Sequence, residues 1–92
     1  MPNALIMEAQ DDVAMVTSKT IEGESVVYLA DDGKRQVVAA QDIPVYHKIA
    51  LRDIQKGGVV RKYGHIIGET TQDILIGAHV HTHNIDSTAK KE

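Results

Sequence analysis

Between Ser25 and Ala40 the sequence reads SVVYLADDGKRQVVAA. Two β-branched runs are joined there by Asp32-Gly33, the dipeptide type that supplies the left-handed conformations of a tight hairpin turn. The pattern predicts strands at Val26–Ala30 and Arg35–Ala39 paired antiparallel. Pro44 has no N–H to donate and biases Ile43 toward extended backbone, so a change of direction is expected where the hairpin ends. The following runs, VVRKYG, HIIGETTQDI and AHVHTHNI, are short and each closes on glycine or a polar turn.

Composition narrows the choice further. With no Phe, no Trp and three Tyr in 92 residues, the core must be assembled from Ile, Val, Leu, Ala and Met, which suits tightly packed strands. The chain has room for one small domain, taken here as 1–86 with a frayed tail at 87–92. In HKIALRDIQKGG, residues 47–58, Ile49, Ala50 and Ile54 can share a helical stripe while Lys48, Arg52 and Lys56 recur every four residues; one short helix is expected there. No internal repeat or low-complexity segment is apparent. The fold class expected is therefore mostly β with one short helix.

Several functions are disfavoured at once. The absence of cysteine removes disulfides, thiolate nucleophiles and Cys-based metal sites, so a metal would have to use His, Asp, Glu or water. A net charge of −3 argues against general nucleic-acid affinity. Residues 1–42 hold eight acids against three bases and 43–89 four against five, so the second half is the better place for a small anion. Apolar runs fall far short of a membrane span and no basic-then-apolar leader opens the sequence, so no membrane association and a cytoplasmic location are expected.

The chemistry-bearing stretch is GAHVHTHNID, with His79, His81 and His83 at alternate positions. In an extended strand the three imidazoles face one way, and Val80, Thr82 and Asn84 the other. Same-face neighbours on a strand lie about 6.7 Å apart, so two rings could converge on one ion. His79 and His83 would lie about 13 Å apart, too far on a flat strand. Two of the three could ligate, and the third would bind substrate, orient a ligand or do nothing. Imidazole without thiolate suits Fe(II), Mn(II) or Zn(II). A solvated sheet face carrying alternate histidines is the competing interpretation.

Residues 43–85 resemble the amino-terminal SAF-type domain of the altronate and galactarate dehydratase family. The resemblance rests on Ile43-Pro44, His47-Lys48, Ala50-Leu51, Asp53-Ile54, Lys62-Tyr63-Gly64, Ile67-Gly68, Asp73-Ile74 and His79 to Asn84. It implies a β-clip fold and a part in sugar-acid dehydration aided by a divalent metal, Fe(II) first and Mn(II) next. The implied catalytic residues are His47, His81 and His83, with His81 and His83 also the expected metal pair and Lys48, Tyr63, His79 and Asn84 binding substrate; His65 falls where the family pattern varies. In many relatives such a domain is fused to a much larger catalytic domain, so a large dehydratase subunit is the expected partner and a small anionic sugar acid the expected substrate. Sulfolactate sulfo-lyase shares the two-subunit plan and eliminates sulfite instead of water; Thr82 tilts the expectation toward altronate. A β-clip module that binds a sugar acid or metal without chemistry is the non-enzymatic alternative. One departure stands out: Tyr46 occupies a place where the family often has glycine, which costs about 1–2 kcal/mol if the backbone there is left-handed.

Overall fold

A computed structural model describes residues 2–6, 11–30, 32–62 and 65–87. They form nine short strands: β1 Ala4–Leu5, β2 Val13–Val16, β3 Ser25–Ala30, β4 Gly33–Val38, β5 Lys48–Ala50, β6 Val59–Lys62, β7 His65–Thr70, β8 His79–Val80 and β9 Ile85–Ser87. The order β1-β2-β5-β8 makes a four-stranded sheet, β3-β4 a hairpin, and β6-β7-β9 a three-stranded sheet. The mostly-β expectation holds. The predicted hairpin is present, with Ala30 opposite Gly33 at its tip.

Burial alternates along the central sheet in a way that explains its composition. In β2, Val13 joins one apolar cluster while Ala14 and Val16 join another; in β5, Ala50 and Ile49 divide in the same manner. Since successive side chains leave opposite faces of a strand, the sheet is covered on both sides. One cluster is closed by Val26, Tyr28 and Val37 of the hairpin, the other by Val60 and Ile74. A sheet buried on both faces needs continuous apolar strands, which VAMV and KIA nearly are.

The helix expected within 47–58 is a correction: no helix occurs among the described residues, and the segment is β5 followed by bends and a turn. The stripe Ile49, Ala50, Ile54 misled because Ile49 and Ala50 are buried on opposite faces of a strand, which a helical reading merges. Arg52 and Lys56 therefore share no helix face with Lys48. Arg52 instead pairs through Nε with Asp12, a nearly buried carboxylate.

A second correction concerns repetition. Four tight turns share one construction, each closed by a hydrogen bond between residues three apart: Glu24 N to Ile21 O, His47 N to Pro44 O, Gly58 N to Gln55 O and Ala78 N to Leu75 O, all 2.8–3.0 Å. Their third residues, Gly23, Tyr46, Gly57 and Gly77, have positive φ, the signature of a type II turn. Each turn follows a buried residue, Thr20, Ile43, Ile54 or Ile74, and a strand begins two residues beyond the positive φ. The turns associate in pairs, Thr20 bridging Ile43 and Ile54 bridging Ile74. An apolar-x-x-Gly pattern hides this repeat in sequence, because one copy has Thr at its head and another has Tyr in the glycine place.

Tyr46 thus keeps the turn and carries the strain, at φ 68, with its side chain exposed. The expected tail falls outside the described residues except for Ser87, which ends β9.

Candidate functional site

The histidines gather where β5 begins and β8 ends. Lys48 pairs with Val80 and Ile49 with His79 in that antiparallel ladder. Carrying the register one step past the ladder sets His47 opposite His81, and their rings stack at 4.0 Å between centroids with planes 14° apart. His47 Nδ1 lies 2.8 Å from His79 Nε2, so one ring donates and the other accepts. The His79 and His81 centroids are 6.0 Å apart, close to the same-face spacing of a strand.

His83 reaches the cluster by a route that alternation does not contain. The strand stops at Val80, and residues 81–84 turn back. Asn84, buried to 4% exposure, holds that turn: its Oδ1 accepts from His81 N at 3.0 Å and its Nδ2 donates to His79 O at 2.8 Å. The His79 and His83 rings consequently lie 4.9 Å apart. This corrects the expected separation of about 13 Å, which assumed extended backbone as far as His83. Both side-chain polar atoms of Asn84 are engaged with the backbone of the histidine turn, so it builds the turn that carries the imidazoles.

Electrostatics favour the uncharged ring at His79 and at His81. Burial, then the nearby charges of His83, His47, His81 and Lys48, push His79 down to about 4. His81 is also lowered, by burial first and then by His47, Lys48 and His83. Its Nδ1 is buried without a hydrogen-bond partner. A neutral imidazole with a free lone pair is the form that ligates a metal, and it has a reason to do so, since an unpaired buried acceptor costs about 1–3 kcal/mol. His81 therefore fits a metal donor. Among the described residues, however, no group of three His, Cys, Asp or Glu is arranged to hold an ion. This part of the chain offers an incomplete donor set.

Lys48 lies half-buried in β5 with its pKa lowered, by burial first and by the charge of Lys62 second. Two lysines facing one region make it receptive to an anion. Tyr63 lies outside the described residues. Gln41 is a residue that spacing gave no reason to select: its Oε1 accepts from His79 N at 2.9 Å, across 38 residues of sequence. Two grooves flank the imidazoles. One, of about 390 Å³, is walled by Ile43, Pro44 and Val45 and ends at His79; the other, about 350 Å³, carries Gln41, Gln72 and His83. No helix of the described residues is long and apolar enough to cross a membrane.

Known proteins give this geometry a context. The (2R)-sulfolactate sulfo-lyase subunit alpha of Paracoccus pantotrophus is 41% identical over 58 residues, covering 63% of this chain and 87% of that protein. The corresponding subunit of Chromohalobacter salexigens is 32% identical over 84 residues, covering 88% and 89%. Altronate dehydratase of Escherichia coli is 41% identical over 78 residues, 85% of this chain but 15% of that enzyme. The chain thus spans most of the length of the sulfo-lyase subunits and a small part of the dehydratase. The family described as the altronate/galactarate dehydratase SAF domain matches residues 2–88. With nearly the whole chain inside that match, this protein belongs to the altronate/galactarate dehydratase SAF domain family.

Proposed function

We propose that this chain is the small subunit of a lyase that dehydrates an altronate-like sugar acid, lending its histidine cluster to an active site completed by a larger catalytic chain. The observation that carries the reading is the convergence of His47, His79, His81 and His83 in a site where, among the described residues, no three donors are arranged to hold an ion. Its relatives, a subunit of a sulfo-lyase and a domain of a much longer dehydratase, support a larger partner.

Dehydrating a hydroxy acid requires removal of a weakly acidic proton next to a carboxylate and protonation of the departing hydroxyl. Lys48 attracts and orients the carboxylate. His47 moves protons: its Nδ1 is tied to His79 Nε2, which orients the ring and leaves the other nitrogen for substrate. His79 stays neutral as the partner in that bond. His81 and His83 are the residues that would hold a divalent metal, Fe(II) or Mn(II), in company with ligands from the partner. Such an ion supplies Lewis-acid polarisation of the substrate oxygens. Asn84 sets the turn that presents His81 and His83, and the Gln41 and Gln72 groove suits the hydroxylated end of a sugar acid.

A second reading is elimination of sulfite from sulfolactate. It is favoured by one observation, the match in length to the sulfo-lyase alpha subunits. Both readings are tested by recovering the partner with tagged chain from its native host and assaying the mixture with Fe(II). Altronate and related aldonic and aldaric acids are to be followed for keto product, and sulfolactate for sulfite. Turnover of a sugar acid only in the mixture is the expected result. Sulfite release alone selects the second reading, and binding of acid by the isolated chain with no turnover in any mixture selects the non-enzymatic module. His81→Ala and His83→Ala are each expected to lower kcat at least 100-fold with the fold intact, as judged by circular dichroism; unchanged turnover would remove the cluster from the chemistry.

A further inference from the structure

Four equivalent turns allow a comparison of their backbones. Where glycine holds the third place, φ is 92, 85 and 87 at Gly23, Gly57 and Gly77; at Tyr46 it is 68. The left-handed region open to a residue with a Cβ is narrow, about +50 to +70, whereas glycine ranges beyond it. The side chain at 46 therefore rotates this turn by about 20° relative to its three counterparts. The turn so altered is the one that delivers His47.

Packing among the described residues offsets little of the strain, since Tyr46 is 66% exposed. It persists because β2 clamps the backbone on either side, Tyr46 N donating to Val16 O at 2.8 Å and Val16 N to His47 O at 2.9 Å. Strain held in place this way beside a functional group is a recognised form of preorganisation. The turn that delivers His79 is positioned differently. Gly77 is wedged against the end of β4, where an added Cβ would lie 2.2 Å from Val38 O, and its carbonyl accepts from Ala40 N at 2.8 Å. The outer turn at 44–47 has Val45 and Tyr46 facing solvent, so within the two backbone bonds to β2 its φ is left to the residue's own Cβ.

We propose that Tyr46 is a positioning residue for His47: its Cβ confines φ to the narrow left-handed well, and that rotation aims the imidazole at His79 and His81. This rests on the reading that His47 belongs to the active site, but its test needs no substrate, so the two stand or fall separately. The full chain is compared with Tyr46→Gly and Tyr46→Asn in metal-free buffer by thermal melting and by nitrogen-15 spectra of the imidazoles. Asn keeps a Cβ and tolerates left-handed backbone, so it separates φ from the ring. In wild type and Tyr46→Asn, His47 and His79 are expected to show fixed, hydrogen-bonded tautomers. Tyr46→Gly is expected to show averaged tautomer shifts at both rings together with a melting midpoint raised by about 4 °C. Fixed tautomers in Tyr46→Gly, averaged ones in Tyr46→Asn, or a glycine variant that melts no higher than wild type would each overturn the proposal.

Discussion

The two turn pairs are built alike and finished differently. In the pair formed by residues 53–57 and 73–77, both third positions are glycine and the carboxylates are reciprocal. Asp53 Oδ1 accepts from Ile76 N at 2.7 Å and Asp73 Oδ1 from Lys56 N at 2.8 Å. In the pair formed by 19–23 and 42–46, Asp42 Oδ1 accepts from Glu22 N at 2.8 Å, but Lys19 stands where the reciprocal acid would be, and a lysine cannot accept. Tyr46 replaces glycine in that same pair. One pair follows every local preference, while the other breaks two of them, with Lys19 in one turn and Tyr46 in the turn that delivers His47. Departures from local rules gather where a side chain must be aimed.

The largest effect expected from this comparison is at Gly77. Its φ of +87 disfavours any Cβ, and the Cβ would also overlap Val38 O, so Gly77→Ala should cost about 3 kcal/mol or more. The midpoint of thermal unfolding should fall by on the order of 15 °C. Gly57→Ala, with the same sign of φ and open space around it, should cost only about 1–2 kcal/mol. Equal losses at the two sites would mean that the hairpin does not press on the turn at 77.

Next come the carboxylates. Asp53→Ala and Asp73→Ala should each lose about 1–2 kcal/mol in urea unfolding, as expected for charge-assisted bonds to backbone N–H, and their double variant should show coupling. Asp42→Ala, which has no reciprocal partner, should add independently of both. Coupling of Asp42 with Asp53 as strong as that between Asp53 and Asp73 would break the division into pairs.

The smallest effect follows pH. His79 is depressed from 6.5 to about 4 in the folded chain, burial being the main cause. The unfolded chain therefore binds more protons between those values, and stability, full above about pH 6.5, declines as pH falls toward 4. Allowing for solvent screening of a partly exposed ring, the loss is on the order of 1 kcal/mol. Urea titrations of metal-free wild type and His79→Gln at pH 7 and pH 4.5 measure it; the variant should show the weaker acid dependence.

How far the sequence disclosed this arrangement varied with the kind of signal. The hairpin was legible because Asp32-Gly33 and two β-branched runs report on neighbours in sequence. The common face of His79 and His81 was legible from the period of a strand, and the departure at Tyr46 was visible against its family. His47 came from family resemblance alone, since only the β5–β8 register, 32 residues apart, brings it to His79. His83 is misplaced when extended backbone is carried through to it, because the Asn84 amide ends the strand and folds the chain back. The helix expected at 47–58 rests on a stripe that a doubly buried strand also satisfies. The turn repeat escaped because Thr20, Lys19 and Tyr46 break its pattern in the half of the molecule where aiming His47 matters most.

Proximity among rings distant in sequence is the point from which every functional statement follows, and it is directly measurable. In uniformly labelled full-length chain, nuclear Overhauser effects between imidazole protons should connect His47 with both His79 and His81, and His79 with His83. Cross-peaks confined to residues 79–83, with none from His47, would show that the two strand ends do not form one site.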